Sequence, residues 1–204
     1  MGIRKASSPD ELKEVLSDVF YNRIQNMNII YKGSITKNDI INIKDSISND
    51  DTYLNICINK FECSILTNND LKTSAIKFKC NYNSTKEQED YIDSKVESIV
   101  SDLINADMTD DEKEKLIHDY IVNNVEYSLD EKYGSAYSAL YYGKTKCDGY
   151  AMLTYKMLKA AGIENIIVTN EDHAWNVVKI NDKWYNLDIT WDDPVNGISF
   201  YRFY

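Results

Sequence analysis

The chain has 204 residues, 43% hydrophobic and 27% charged, enough length and apolar content for one large domain or two small ones with a buried core. Its 33 acidic against 23 basic side chains give a formal charge of −10 that repels phosphate backbones, and no basic cluster is denser than Lys144-Thr145-Lys146, which sets nucleic acid aside as a partner. No apolar run reaches about 18 residues and MGIRKASSPDEL contains no apolar stretch, so neither a membrane span nor a signal peptide is expected in this chain.

In SPDELKEVLSDVFYNRIQN, Ser8 stands as N-cap, Pro9 at the first helical position and Glu11 three residues past the cap, a capping box. Leu12, Val15, Leu16 and Val19 follow at helical spacing, which predicts a first helix. MNIIYKG reads as a strand ended by Gly33, and TKNDIINIKDSISND as a second helix capped by Thr36 with Ile40, Ile43 and Ile47 on one stripe. Alternation of apolar and polar residues predicts strands over 61–67 and 74–82, joined by NNDL. Cys57, Cys63 and Cys80 fall in this part of the chain. A Cys63–Cys80 bridge between neighbouring strands and buried free thiols both fit. With no CxxC pair and only His118 and His173, no metal site is expected.

A composition shift near Asn83 marks the expected boundary between a small α/β domain at 1–83 and a second domain at 84–204. The second opens with a long helix capped near Ser84 or Thr85, on which Tyr91, Val96, Ile99, Val100 and Leu103 recur. Thr109 starts another, with Asp110, Asp111 and Glu112 placed against the dipole and Leu116, Tyr120 and Ile121 apolar. His118 on that helix has apolar neighbours and reads as a packing or hydrogen-bonding histidine. After the short segment SAYSALYYGK, a helix runs from Cys147 to Gly162 as its C′ residue. Three strands then cover 163–169, 173–180 and 183–190.

The helix of Cys147 buries the stripe Tyr150, Ala151, Thr154, Leu158 and Ala161 and presents the thiol at its first turn. Unpaired N–H groups and the helix dipole favour a thiolate there, Lys144 and Lys146 add positive charge, and the Cys147 amide can donate to an oxyanion. Taken alone, a cysteine at a helix start is more often packing than catalysis. A base is supplied by the hairpin around Asn181-Asp182. A two-residue turn sets Ile180 against Lys183, hence Trp175 against Asp188 and His173 against Thr190, so His173 and Asp188 share a face as diagonal neighbours at roughly 7–8 Å. A three-residue loop would send Asp188 to the opposite face. In the first register the carboxylate orients His173, whose other ring nitrogen withdraws the proton from Cys147.

The stretches KLIHDYIVNNVEY, KCDGYAMLTYKMLKAAGI and DHAWNVVKINDKWYNLDITWDDP together resemble the transglutaminase-like superfamily of papain-related cysteine enzymes, over roughly residues 86–204. The resemblance implies an α+β, papain-like core in which a helix-start cysteine packs on a small antiparallel sheet, preceded by the small α/β domain. It implies Cys147 as nucleophile, His173 as base and Asp188 as its orienting partner. The activity would be acyl transfer on a peptide or glutamine-type amide, by hydrolysis or transamidation through a thioester, without a cofactor.

The resemblance is closest to bacterial members. Their activities include peptide hydrolysis, amide-bond transfer and cell-envelope roles, which implies a protein or peptide substrate, or envelope material, and an extracellular or envelope location. The rival reading is a catalytically silent binding or scaffold module of the cell envelope; an amidase acting on glycan-linked asparagine is a third. Animal transglutaminases use calcium and an indole donor ahead of the cysteine, but no tryptophan lies between Met1 and Cys147. Tyr137, Tyr141 or Tyr142 could substitute, although aromatic packing explains each more simply. Asp192 and Asp193 are read as a Pro-terminated turn and not as calcium ligands. Of Trp175, Trp184 and Trp191 around the hairpin, Trp175 shares the face of His173 and is the candidate substrate-cleft wall. ISFYRFY reads as a final strand with nothing after it; since members of the family usually continue, a missing C-terminal strand is expected.

Overall fold

The structure, a computed structural model, describes residues 2–192. The strand expected in ISFYRFY, and Asp193 with the Pro-terminated turn, lie outside the described residues. The chain divides into two compact units, residues 1–86 and 87–204.

The first unit holds β1 (Ile3–Ala6), α1 (Pro9–Tyr21), β2 (Asn26–Lys32), α2 (Lys37–Asp50), α3 (Thr52–Cys57), β3 (Ile58–Asn68) and β4 (Thr73–Tyr82). They form one sheet in the order β1-β2-β4-β3, parallel between β1 and β2 and antiparallel elsewhere. The Ser8 hydroxyl accepts from the Glu11 amide at 3.2 Å, while the Glu11 carboxylate accepts from the amide and hydroxyl of Ser7 at 2.7 and 2.6 Å, so the expected reciprocal box on Ser8 moves one residue back. The box at Thr36 closes fully, through Asp39. Leu12, Leu16 and Phe20 of α1 pack with Ile40 and Ile47 of α2 on Ile29, Ile76 and Phe78 of the sheet, burial worth about 1.5–3 kcal/mol for each large side chain. β1 and α3 are too short to carry a readable period. In the β3–β4 register Cys63 faces Phe78 and Cys80 faces Phe61, so the two thiols are not cross-strand partners, and none of the four cysteines is in a disulfide.

The second unit is built from α4 (Lys86–Leu103), α5 (Asp110–Asn124), β5 (Glu126–Tyr127), α6 (Ala136–Tyr142), β6 (Lys144–Thr145), α7 (Cys147–Ala160), β7 (Asn165–Thr169), β8 (Ala174–Ile180), β9 (Lys183–Leu187) and α8 (Ile189–Asp192). β5 and β6 pair in parallel, and β7-β8-β9 form an antiparallel meander. The unit is α+β, with α7 at its centre. Residues 149–155 of α7 are buried without interruption, as are Met157 and Leu158, because α5, α6, β7 and β8 surround the helix; the expected single stripe is exceeded. Lys156 of α7 bonds Asp93 of α4 at 2.6 Å, with Glu89 at 3.5 Å. On α5 the buried side chains are Glu114, Ile117, His118 and Ile121, so the face is turned from the expected Leu116 and Tyr120. Gly162, at φ +81°, ends α7 as expected. Among the described residues no helix is long and apolar enough to cross a membrane.

Candidate active site

Cys147 is the first residue of α7, and the chain entering it is held from three sides. Gly143 closes α6 in the left-handed region (φ +64°), the pairing of β6 with β5 fixes the next two residues, and the Lys146 amide donates to the Tyr133 carbonyl at 2.8 Å. Beneath the first turn, buried Thr145 donates from its hydroxyl to the Tyr133 carbonyl at 2.9 Å, with the Ser138 hydroxyl 3.2 Å away. Gly149 presses on this network: a Cβ there would overlap Thr145 Oγ1 and stand 2.7 Å from the Ser135 carbonyl oxygen.

The Cys147 sulfur is half-buried. Burial and then the Asp148 carboxylate, whose Oδ1 lies 4.0 Å away, push the thiol up; N–H groups of Ala174 and Asp148, and Lys146, pull the other way. Burial and the neighbouring carboxylate prevail, so the resting thiolate expected from the helix terminus and the flanking lysines is not favoured by its surroundings. The two lysines are engaged elsewhere: Lys144 pairs with Glu126 at 3.0 Å and Lys146 with Glu131 at 2.7 Å. Burial also raises Asp148, against the opposing pull of Lys146 and His173.

Asn181 and Asp182 have φ of +50° and +62°, the left-handed pair of a type I′ turn, and Ile180 faces Lys183 through to Asn176 facing Leu187. The two-residue register is therefore the one adopted. Paired hydrogen bonding stops at Leu187, and Ile189 and Thr190, expected in the strand, turn instead into α8. His173 lies just ahead of β8, held in a turn by its amide bonding Asn170 Oδ1 at 2.8 Å. Its Nε2 is 2.7 Å from Asp188 Oδ2. The second oxygen of Asp188 accepts from the Trp191 amide at 3.4 Å, so the same carboxylate caps α8. Trp175 stacks with the imidazole at a centroid separation of 6.0 Å and donates its indole N–H to Asn186. Trp191 meets the ring at 63° and 6.2 Å while remaining 74% exposed. Trp191 was not singled out in the sequence as a wall, although it stands one helical turn after Asp188. Trp184 pairs with Lys179 near the hairpin turn, away from the imidazole.

Asn176, 1% exposed, joins the strand to the helix: its amide donates to the Ala151 carbonyl at 3.0 Å and reaches Asn165 Oδ1 at 3.4 Å. This link sets the start of β8 beside the first turn of α7, with the Ala174 amide directed at the Cys147 sulfur. Tyr137, Tyr141 and Tyr142 pack on one another and on Tyr91 and Tyr133, with the Tyr137 and Tyr141 rings stacked at 5.0 Å. Asp192 is not in a turn: it ends α8, 2% exposed, with Oδ2 3.4 Å from His118 Nε2.

Residues 97–189 match the family model of the transglutaminase-like superfamily. Over these residues the chain is similar to a transglutaminase-like domain. The matched stretch contains Cys147, His173 and Asp188 and ends as α8 begins. Kyphoscoliosis peptidase from Homo sapiens is 32% identical to this chain over 120 residues, which is 48% of this chain and 18% of that protein. The Mus musculus protein of the same name is 30% identical over 122 residues, 49% and 18% of the two lengths. A crystal structure of a TGase aligns with 98% of this chain and 61% of its own, at 14% identity and a TM-score of 0.43.

Proposed function

We propose that the transglutaminase-like domain catalyses cysteine-dependent acyl transfer on a peptide or glutamine-type amide. The observation that carries this reading is the 2.7 Å contact between His173 Nε2 and Asp188 Oδ2, on the side of the domain where the next amide, that of Ala174, meets the Cys147 sulfur. Asp188 accepts a hydrogen bond from Nε2–H, which leaves Nδ1 as the nitrogen that takes the thiol proton. The sulfur then adds to the amide carbon, and the developing oxyanion is met by the Cys147 N–H, which stands ahead of the helix's own hydrogen bonds. Collapse breaks the C–N bond; His173 returns its proton to the leaving nitrogen, releasing ammonia or an amine and leaving a thioester on Cys147. Water or a second amine attacks the thioester, giving hydrolysis or transamidation and restoring the thiol. The burial of the thiol suits this order of events: the proton leaves when the imidazole is in place, and the sulfur is not a standing thiolate.

The name of the two relatives supports a peptide as the substrate class, and the exposed indole of Trp191 beside His173 suits a side-chain contact with it. A fold kept for binding without turnover is the competing reading, with which the upward push on Cys147 is equally compatible. Hydroxylamine separates the two. Incubated with the protein and a pool of glutamine-containing peptides, it should yield hydroxamates by intercepting the thioester, and Cys147→Ala should yield none. Equal yields from parent and Cys147→Ala would remove the enzyme reading.

A further inference from the structure

We infer that His118 is a positioning residue for the His173–Asp188 pair, acting through α8 and the buried carboxylate of Asp192; this rests on the catalytic reading above. His118 is fully buried, and its ring stands between two carboxylates, Nδ1 3.0 Å from Asp119 Oδ1 and Nε2 3.4 Å from Asp192 Oδ2. Asp119 is itself held by Lys115 at 2.7 Å. No step of the proposed reaction uses this group.

Its place in the fold supplies a use. α8 is a single turn, four residues long, and a turn of that length has no stability of its own. At its start, the Trp191 amide donates to the carbonyl and the carboxylate of Asp188, at 3.1 and 3.4 Å. At its end, Asp192 meets His118. The helix that carries His118 is well anchored, with a complete capping box at Thr109 and Glu112 and with Ile117 and Ile121 fully buried. An apolar pair of similar volume would fill the same space at little or no cost in stability. It would not draw the end of α8 toward α5: the Nε2–Asp192 contact at 3.4 Å falls short of hydrogen-bond geometry, so what the polar pair adds is the attraction that seats Asp192 against His118. The rotation of α8 sets where the Asp188 carboxylate points, and a displacement of about 1 Å in such a group costs on the order of a hundredfold in rate.

The test is a double-mutant cycle in the full chain, reading the rate of Cys147 alkylation by iodoacetamide against pH together with thermal unfolding. Asp188→Asn should slow alkylation. Asp192→Asn and His118→Leu should each slow it roughly tenfold in protein that is folded at the assay temperature, with the same change in pH profile, and neither should slow it further in the Asp188→Asn background. If His118→Leu does not fold, the isosteric Asp192→Asn carries the cycle alone. Single variants that alkylate at the parental rate, or that add their full effect in the Asp188→Asn background, overturn the inference. If Asp188→Asn itself leaves the rate unchanged, the catalytic reading fails and this inference falls with it.

Discussion

Replacing Gly149 with alanine tests how the fold aims Cys147. The added Cβ overlaps Thr145 Oγ1, lies 2.8 Å from Thr145 Cβ and 2.7 Å from the Ser135 carbonyl oxygen. Ordinary contacts between heavy atoms begin near 3.5 Å, so the carbonyl must retreat by more than about half an ångström, and Thr145 must give up its 2.9 Å bond to Tyr133 or leave its place. Overpacking of this kind costs about 1–3 kcal/mol, which for a unit of this size lowers Tm by roughly 5–15 °C. If the helix moves instead of its floor, Cys147 moves with it, and alkylation of the folded protein slows as well. Thr145→Ala in the same chain removes the overlapping oxygen, leaves the Ser135 contact, and should recover part of both losses. Thermal unfolding by circular dichroism and the Cys147 alkylation rate are the two readouts. A Gly149→Ala variant within about 1 °C of the parent, with unchanged alkylation, would mean that α7 does not approach β6 as closely as described.

Other substitutions probe the remaining parts of the site. The folded state holds the Cys147 proton more tightly than the unfolded chain does, so its contribution to stability is full below the unfolded pKa of about 8.5 and is lost as pH rises through the folded value. Asp148→Asn removes one cause of that shift and should move the alkylation profile of Cys147 to lower pH; a profile that stays or moves upward contradicts the assignment. Asn176→Ala removes the buried bond to Ala151 and the donor that meets Asn165 Oδ1, and should cost about 1–3 kcal/mol in urea unfolding while slowing alkylation, whereas an unchanged midpoint would show that the link between β8 and α7 is idle. Trp191→Ala, at an exposed position, should change stability by no more than about 0.5 kcal/mol and raise KM for peptides more than it lowers kcat. A loss confined to kcat would give the indole a role in holding His173.

The parts of the site that local rules determine were legible in the sequence. A two-residue turn, with period-2 alternation on either side, is enough to send His173 and Asp188 to one face, and Cys147 heads its helix because Tyr150, Ala151, Thr154 and Leu158 recur at helical spacing behind it. What depends on packing between distant segments was not legible. Ile189 and Thr190 continue a β-branched pattern, so α8 reads as strand until the Asp188 cap is seen. His118 and Asp192 are far apart in the chain, and neither predicts the other. The thiol's surroundings are tertiary too: burial outweighs the helix terminus, and the lysines on either side of the approach bond Glu126 and Glu131. The turned face of α5 has the same origin, since a buried glutamate and histidine stand where hydropathy alone marks Leu116 and Tyr120.

The central claim is that His173 activates Cys147. It is tested most directly by the pH dependence of the alkylation rate of each cysteine, read by mass spectrometry in the parent and in His173→Ala. The account predicts that Cys147 reacts faster than Cys57, Cys63 and Cys80 near neutral pH, and that in His173→Ala its rate falls by about 10²–10⁴ and its pH profile becomes that of the buried thiol alone. A Cys147 that reacts like the other three, with the same profile whether or not His173 is present, would contradict it.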